Sequence, residues 1–325
     1  MTRRRLDVIC PVFREAAGIA SFHERLSRVT DGLAGYECRF IYVVDPSGDG
    51  SEAVLAGIGA SDPRVDVVVM SRRFGHQLCL VAGLDLSDGD AAIMLDSDHQ
   101  HPPELIPELV RAWEAGADIV QTVRADTEET GWLKRTTSRY FYRLFRSLGS
   151  LEVPVGAADF RLLSRPVVAV FRDRIREQNP FLRGLVHWVG FHVRYIAFTP
   201  EVRRSGTSSY RPMVLLGFAL NGWCSFSKTP LRICVVSGLA LALLAGLITL
   251  LQITAYLFGH AEVPGWLSLV IPPAFFGGVQ LVFLGVIGEY IGLIFDEVKQ
   301  RPRYIIQKHE RAGASVAPLG PEPRA

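Results

Sequence analysis

Two aspartates one residue apart, Asp96 and Asp98, follow the apolar run Ala91–Leu95, and Gln100 stands two residues further on. Carboxylates at this spacing, at a strand end where the chain turns, can both face one hard cation. Oxygen donors suit Mg²⁺ or Mn²⁺, which could bridge to a diphosphate. Asp96, Asp98 and Gln100 are therefore the candidate metal ligands, with Asp96 on the donor side and Asp98 in a catalytic position. The chemistry this predicts is departure of a nucleotide diphosphate whose developing charge the cation neutralises. The competing reading is a loop with two solvated aspartates. The position after a fourth strand, with Pro102-Pro103-Glu104 behind it, favours the metal.

The elements that must position this pair alternate along residues 6 to about 200. Strands are expected at Asp7–Val12, Arg39–Asp45, Val65–Met70, Ala91–Leu95 and Asp118–Val123, with helical patterns such as Pro103–Ala115 between them. That alternation predicts an α/β domain with a mostly parallel sheet. Ligands of such sheets bind beyond the carboxyl ends of the strands. Polar clusters fall there: Arg14-Glu15, Asp45 to Asp49, Asp96 to Asp98, and Arg124. No GxGxxG or P-loop follows any strand, which disfavours a dinucleotide oxidoreductase or a P-loop NTPase. His76, His99 and His101 read as loop or cap residues.

A formal net charge of +2 is too small to imply a nucleic-acid partner. The five cysteines form no CxxC pair and no metal spacing, as expected of reduced thiols in a cytosolic compartment. Leu6 to Phe13 reads as a strand, with no signal peptide before it.

The second half changes character. No charged residue occurs from Ile233 to Gly259, nor from Val263 to Gly288. Each stretch exceeds the ~20 apolar residues that cross a bilayer core, so an antiparallel transmembrane hairpin is expected, with Pro272 and Pro273 kinking or delaying its second helix. Lys228 and Arg232 precede it, and Lys299, Arg301, Arg303 and Lys308 follow it; the connecting loop has neither Lys nor Arg. By the positive-inside rule both chain ends face the cytoplasm, at a plasma (inner) membrane. Met213 to Thr229 reads as a helix in the membrane interface. The expected organisation is a cytoplasmic catalytic domain at 1–211, an interfacial segment at 212–230, a two-helix hairpin at 231–298 and a basic, partly disordered tail at 299–325.

The run Leu95-Asp-Ser-Asp-His-Gln-His-Pro-Pro-Glu104 resembles the DxDxQxPPE signature of inverting family-two glycosyltransferases with the GT-A fold. The subgroup resembled is the polyprenyl-phosphate sugar transferases, dolichol-phosphate mannose synthases and bacterial undecaprenyl-phosphate glucosyltransferases among them. Pro11-Val-Phe-Arg-Glu15, Asp45 to Ser51, Ala158 to Arg165, Phe181 to Gly184, Arg203 to Tyr210 and Gly288 to Pro302 extend the likeness over nearly the whole chain. The resemblance implies donor contacts from Pro11, Glu15, Asp45 and Asp96, a catalytic-element carboxylate at Asp159, and an acceptor-phosphate site at Arg124, Arg135, Ser138 and Arg203. Arginine suits a lipid monophosphate because its planar fork holds the anion bidentately. An anionic acceptor needs little general-base help, so Asp159 is expected to position sugar or acceptor more than to take a proton; the alternative is support of the fold through Arg161 or another cation. The implied partners are a nucleotide sugar, a polyprenyl phosphate and the lipid bilayer, and the resemblance alone suggests a homo-oligomer, a tetramer.

Three positions depart from the pattern: Val44, Arg14 and Ser209. Val44 leaves Asp45 alone to meet the nucleoside. The activity implied is transfer of a hexose, glucose from UDP-glucose foremost, with mannose or N-acetylglucosamine as alternatives. A processive polysaccharide synthase would need a QxxRW motif that Gln178-Asn-Pro-Phe-Leu182 does not supply. A non-catalytic membrane scaffold has only the loss of an acid at Val44 in its favour.

Overall fold

The structure is a computed structural model that describes residues 3–125, 154, 156–199, 229–258, 267–311 and 314–316. Arg135, Ser138, Arg203, Ser209, most of the 212–230 segment and the 259–266 loop lie outside the described residues. The chain divides into two compact units, one holding the described residues up to 199 together with 301–316, the other holding 229–258 and 267–300.

The first unit is built on a nine-stranded sheet ordered β7-β5-β6-β4-β1-β2-β3-β8-β9. Its strands are β1 (Arg4–Val12), β2 (Tyr36–Val44), β3 (Val65–Met70), β4 (Ala91–Met94), β5 (Ile119–Arg124), β6 (Ala157–Ser164), β7 (Val193–Phe198), β8 (Ile306–Arg311) and β9 (Ala314–Val316). β1 pairs in parallel with β2 and β4, and β2 with β3. β6 runs antiparallel to both β4 and β5, and β8 antiparallel to β3. The five strands expected from sequence are all present within a few residues of their predicted ends.

The strands Val8–Val12, Phe40–Val44 and Val65–Met70 are buried along their whole length, as helices on both faces of a parallel sheet require. Helix α1 (Ile19–Asp31) turns Ile19, Phe22, His23, Leu26 and Thr30 inward, the i, i+3, i+4 stripe of an amphipathic helix. Helices α2 (Ser51–Ser61), α3 (His76–Leu86), α4 (Ile106–Glu114, after a 3₁₀ turn at Pro103–Leu105), α5 (Arg165–Asp173) and α6 (Leu182–Trp188) complete the layers. Helix α3 lies so close to the sheet that a Cβ on Gly83 would stand 2.1 Å from Ile9 Cγ2; only glycine fits.

The tail expected at 299–325 supplies β8. Its strand covers β3, where His309 Nε2 lies 3.3 Å from Asp66 Oδ2. Ahead of it, Asp85 on α3 accepts hydrogen bonds from Arg303 Nη2 at 3.0 Å, Tyr304 Oη at 2.7 Å and Arg176 Nη1 at 3.1 Å. Burial and the neighbouring Asp85 carboxylate push the Tyr304 hydroxyl far above its ordinary range. Residues 301–311 therefore belong to the catalytic unit, and the boundary expected at 211 omits them.

The second unit contains helices α7 (Thr229–Leu257) and α8 (Leu267–Lys299). Each includes a stretch long and apolar enough to cross a membrane, Leu231–Leu251 and Phe275–Lys299. Large apolar side chains such as Val235, Leu243, Leu281 and Val282 are exposed, whereas a soluble helical hairpin would bury them. The second helix continues beyond the uncharged stretch that stops at Gly288 and ends at Lys299, because a helix does not stop where charges begin. Pro272 and Pro273 lie inside it, near its start.

Candidate active site

The strand order reverses between β1 and β4, and this switch point opens a crevice beyond their carboxyl ends. Ser97 Oγ donates to Pro11 O at 2.9 Å and ties the two ends together. Pro11 itself is buried inside β1, opposite Val43. It lies beyond the last β1–β4 pair, Ile9 with Met94, so no ladder bond misses its absent N–H. Any donor contact from Pro11 must come from its carbonyl or ring edge.

The loops around the crevice are stitched to one another. Glu15 N–H donates to Ser51 Oγ at 3.1 Å, and Ala16 N–H to Asp49 Oδ2 at 3.1 Å. Although desolvation opposes it, hydrogen bonds from Ser47 and Ser51 lower the Asp49 carboxyl to about 2. Arg14 and His99 both adopt positive φ, 61° and 63°, a conformation that costs non-glycine residues energy and concentrates at functional sites. His99 Nε2 lies 3.3 Å from both Ser21 Oγ and Gly18 O at the start of α1. Glu15 is buried beside them.

Asp45 directly follows β2, at the carboxyl end of the sheet. It is only 3% exposed, and its two oxygens accept the backbone N–H groups of Phe74 at 2.7 Å and Gly75 at 3.0 Å. Its carboxylate fixes the loop before α3, and each oxygen keeps a second lone-pair direction. The exposed side of that loop carries cations on aromatic faces: Arg73 and Arg14 both lie over Phe13, at 4.3 and 5.3 Å.

Asp96 follows β4, half-buried, with one imidazole on each oxygen. His76 Nε2 lies 2.7 Å from Oδ1 and His101 Nδ1 3.4 Å from Oδ2. His76 is the first residue of α3. Burial opposes its charge, but the Asp96 carboxylate outweighs burial and pushes the ring up to about 9. His101 is fully buried, stacked on Phe160 with ring centres 5.6 Å apart; burial lowers its pKa against the pull of Asp96. Among the described residues neither of its ring nitrogens has a hydrogen-bond partner, so Nδ1 approaches Asp96 without bonding it. The sequence reading of His76 as a cap or loop residue missed its bond to Asp96, and His101 proves to be a core residue. Asp98, half-buried, accepts the Gln100 N–H at 3.1 Å, which fixes the turn that carries both.

Asp159 enters from the antiparallel strand β6, where Arg161 pairs with Met94. It is 4% exposed and bound twice: Arg183 grips it bidentately, Nη2 to Oδ2 at 2.7 Å and Nε to Oδ1 at 3.1 Å, and Arg161 Nη2 reaches Oδ1 at 2.5 Å. Burial opposes ionisation, but Arg183 and Arg161 hold its carboxyl below the usual range. A carboxylate so paired is a poor proton acceptor. Arg183, 42% exposed at its side chain, escaped the sequence reading because nothing local links it to Asp159. Gln77 joins the two halves: its Oε1 accepts Leu182 N–H at 3.2 Å and its Nε2 lies 3.4 Å from His76 Nδ1. Arg124, exposed at the end of β5, is held by its N–H to Gly156 O at 2.9 Å and lowers the His101 pKa through its charge.

Asp96, Asp98, Asp159, His76, His101, Arg124 and Arg183 thus converge on one end of the sheet, on strands and helix termini made rigid by packing. The sequence profile described as "Glycosyl transferase family 2" matches residues 7–171. The SfII prophage-derived bactoprenol glucosyl transferase of Shigella flexneri is 38% identical over 307 residues, 94% of this chain and 99% of that one. The uncharacterized glycosyltransferase YkcC of Bacillus subtilis is 36% identical over 303 residues, 93% of each chain. Among solved structures, mannosyl-3-phosphoglycerate synthase from Rubrobacter xylanophilus superposes with a TM-score of 0.48 at 15% identity, over 68% of this chain and 73% of that one. A sheet with its crevice at the β1/β4 switch point, a DxD turn beyond β4 and this likeness along almost the entire sequence have one reading: the chain is a glycosyltransferase of the GT-A fold and belongs to glycosyl transferase family 2.

Proposed function

We propose that this enzyme transfers a hexose, glucose from UDP-glucose foremost, to a polyprenyl phosphate of the undecaprenyl type at the cytoplasmic face of a membrane. The observation that carries the reading is a catalytic unit with the Asp96–Asp98 turn in a chain that also holds two helices able to cross a bilayer, alike over nearly its full length to relatives called bactoprenol glucosyl transferases.

In this reading a non-bridging oxygen of the lipid phosphate attacks the anomeric carbon. The bond from that carbon to the UDP oxygen breaks, UDP leaves with the electron pair, and the anomeric centre inverts. The attacking oxygen is already anionic, so no residue needs to remove a proton. Asp159 supports the reaction by fixing Arg183, whose exposed guanidinium stands within electrostatic reach of Asp96. Arg124, with Arg135, Ser138 and Arg203, takes the lipid phosphate. Pro11 and Glu15 border the donor.

Asp96, Asp98 and Gln100 would hold Mg²⁺ or Mn²⁺, which when bound neutralises charge on the diphosphate. Their chemistry fits, since two carboxylates and an amide oxygen are the hard donors such cations take, although among the described residues no group of three or more His, Cys, Asp or Glu gathers around a common centre. A two-carboxylate site of this kind relies on substrate phosphates to complete the shell, as Mg²⁺ sites commonly do. Cation binding should therefore depend on nucleotide.

A screen of radiolabelled nucleotide sugars with purified protein and membranes containing undecaprenyl phosphate tests the assignment. Organic-phase label from UDP-glucose supports it. Label from another donor only replaces the sugar, and no lipid-linked label from any donor refutes the reading.

A further inference from the structure

The two oxygens of Asp96 each face an imidazole. His101, fully buried and stacked on Phe160, closes one side. His76 closes the other at 2.7 Å and is itself 39% exposed at its side chain, so it borders the crevice. His76 is placed by a chain of constraints that begins elsewhere in the sheet. Asp45, after β2, holds Phe74 and Gly75 by their N–H groups. Gly75 takes φ 94° and ψ 161°, which side chains disfavour, and the next residue starts α3. Gln77 then ties the same helix end to Leu182, beside the Arg183 that grips Asp159.

Each carboxylate oxygen has two lone-pair directions. An N–H on one of them leaves the other free to point where a cation sits, and it removes the side chain's freedom to rotate. Outer partners of this kind orient metal ligands and tune their affinity.

Resting on the metal reading above, we propose that His76 is a positioning residue, whose Nε2–H holds the Asp96 carboxylate in the orientation that meets the divalent cation of the donor complex.

The test uses the full chain in detergent, Mn²⁺ with UDP as the probe, and free Mn²⁺ measured by electron paramagnetic resonance. His76→Ala should weaken UDP-dependent Mn²⁺ binding roughly ten- to hundredfold and lower kcat, while KM for lipid phosphate changes about twofold or less. His76→Gln, whose amide N–H falls where Nε2 stood, should recover most of the binding. His76→Asn, whose amide falls short at the Nδ1 position, should not. The Gln and Asn pair keeps the comparison should the alanine variant fail to fold. Mn²⁺–UDP binding by His76→Ala or His76→Asn equal to wild type overturns the proposal alone. Equal loss in the Gln and Asn variants overturns it as well. Absence of UDP-dependent Mn²⁺ binding by the wild type overturns the metal reading and the proposal with it.

Discussion

Arg183 meets Asp159 edge to edge, Nη2 on Oδ2 at 2.7 Å and Nε on Oδ1 at 3.1 Å, while Arg161, 0% exposed at its side chain, binds the same carboxylate from below. Removing the acid leaves Arg161 as an unpaired buried charge, which costs about 3–5 kcal/mol. Asp159→Asn should therefore lower the thermal midpoint, on the order of ten degrees. The folded pKa of Asp159 is depressed, so its contribution is complete above the unfolded value near ~3.9 and is lost as pH falls through the folded value. The stability gap between wild type and Asp159→Asn should be flat from about pH 8 to pH 5 and close below about pH 4. Denaturant titrations across that range check it; a gap that opens near neutral pH would mean that Asp159 titrates as a base.

The strand made by residues 306–311 predicts that the tail is not dispensable. Arg303→Ala removes one of Asp85's charge-assisted bonds while Tyr304 and Arg176 remain, and should destabilise the catalytic unit by about 1.5–3 kcal/mol. Deletion after Lys299 uncovers the β3 edge and should yield unfolded or aggregated protein. Limited proteolysis and thermal melts distinguish this from a removable tail, whose loss would leave the midpoint unchanged.

Arg124→Ala should raise KM for lipid phosphate ten- to hundredfold and leave KM for donor nearly unchanged, because one charge-assisted contact is worth about 1.5–3 kcal/mol. The same is expected of Arg135→Ala. Steady-state kinetics with each substrate varied in turn decide; a change confined to donor KM would reassign both residues.

The proposed topology rests on the flanking charges. In a variant without native cysteines, Cys at Ala261 should react with a membrane-impermeant thiol reagent outside intact cells, and Cys at Ala312 only after the membrane is opened. Labelling of position 312 from outside would reverse the orientation and remove cytosolic nucleotide sugar as the donor.

The parts of this molecule that sequence reveals are those fixed by local pattern. Val65–Met70 is a strand with exactly the expected ends, and the turn at Asp96–Asp98 follows β4 as its apolar run implies. What stayed hidden are pairings made by topology. His76 meets Asp96 across 20 residues and Arg183 meets Asp159 across 24; no periodicity encodes either. Ile306–Arg311 looks like a polar tail because it lies near the sheet's margin and buries only Ile306 and His309 of its six residues. Asp45 likewise accepts the N–H groups of Phe74 and Gly75 from a loop 29 and 30 residues away, contacts that no local pattern encodes.

The central claim is metal-assisted transfer from a nucleotide sugar to a lipid phosphate. It is tested most directly by incubating purified full-length protein with radiolabelled UDP-glucose and undecaprenyl phosphate, with Mg²⁺ or Mn²⁺ or with chelator, alongside a folded Asp98→Ala variant. The account predicts an organic-soluble, monoglycosylated lipid phosphate from wild type with metal, none in chelator, recovery when metal is restored, and none from Asp98→Ala. Full transfer in chelator, or by Asp98→Ala, would contradict it.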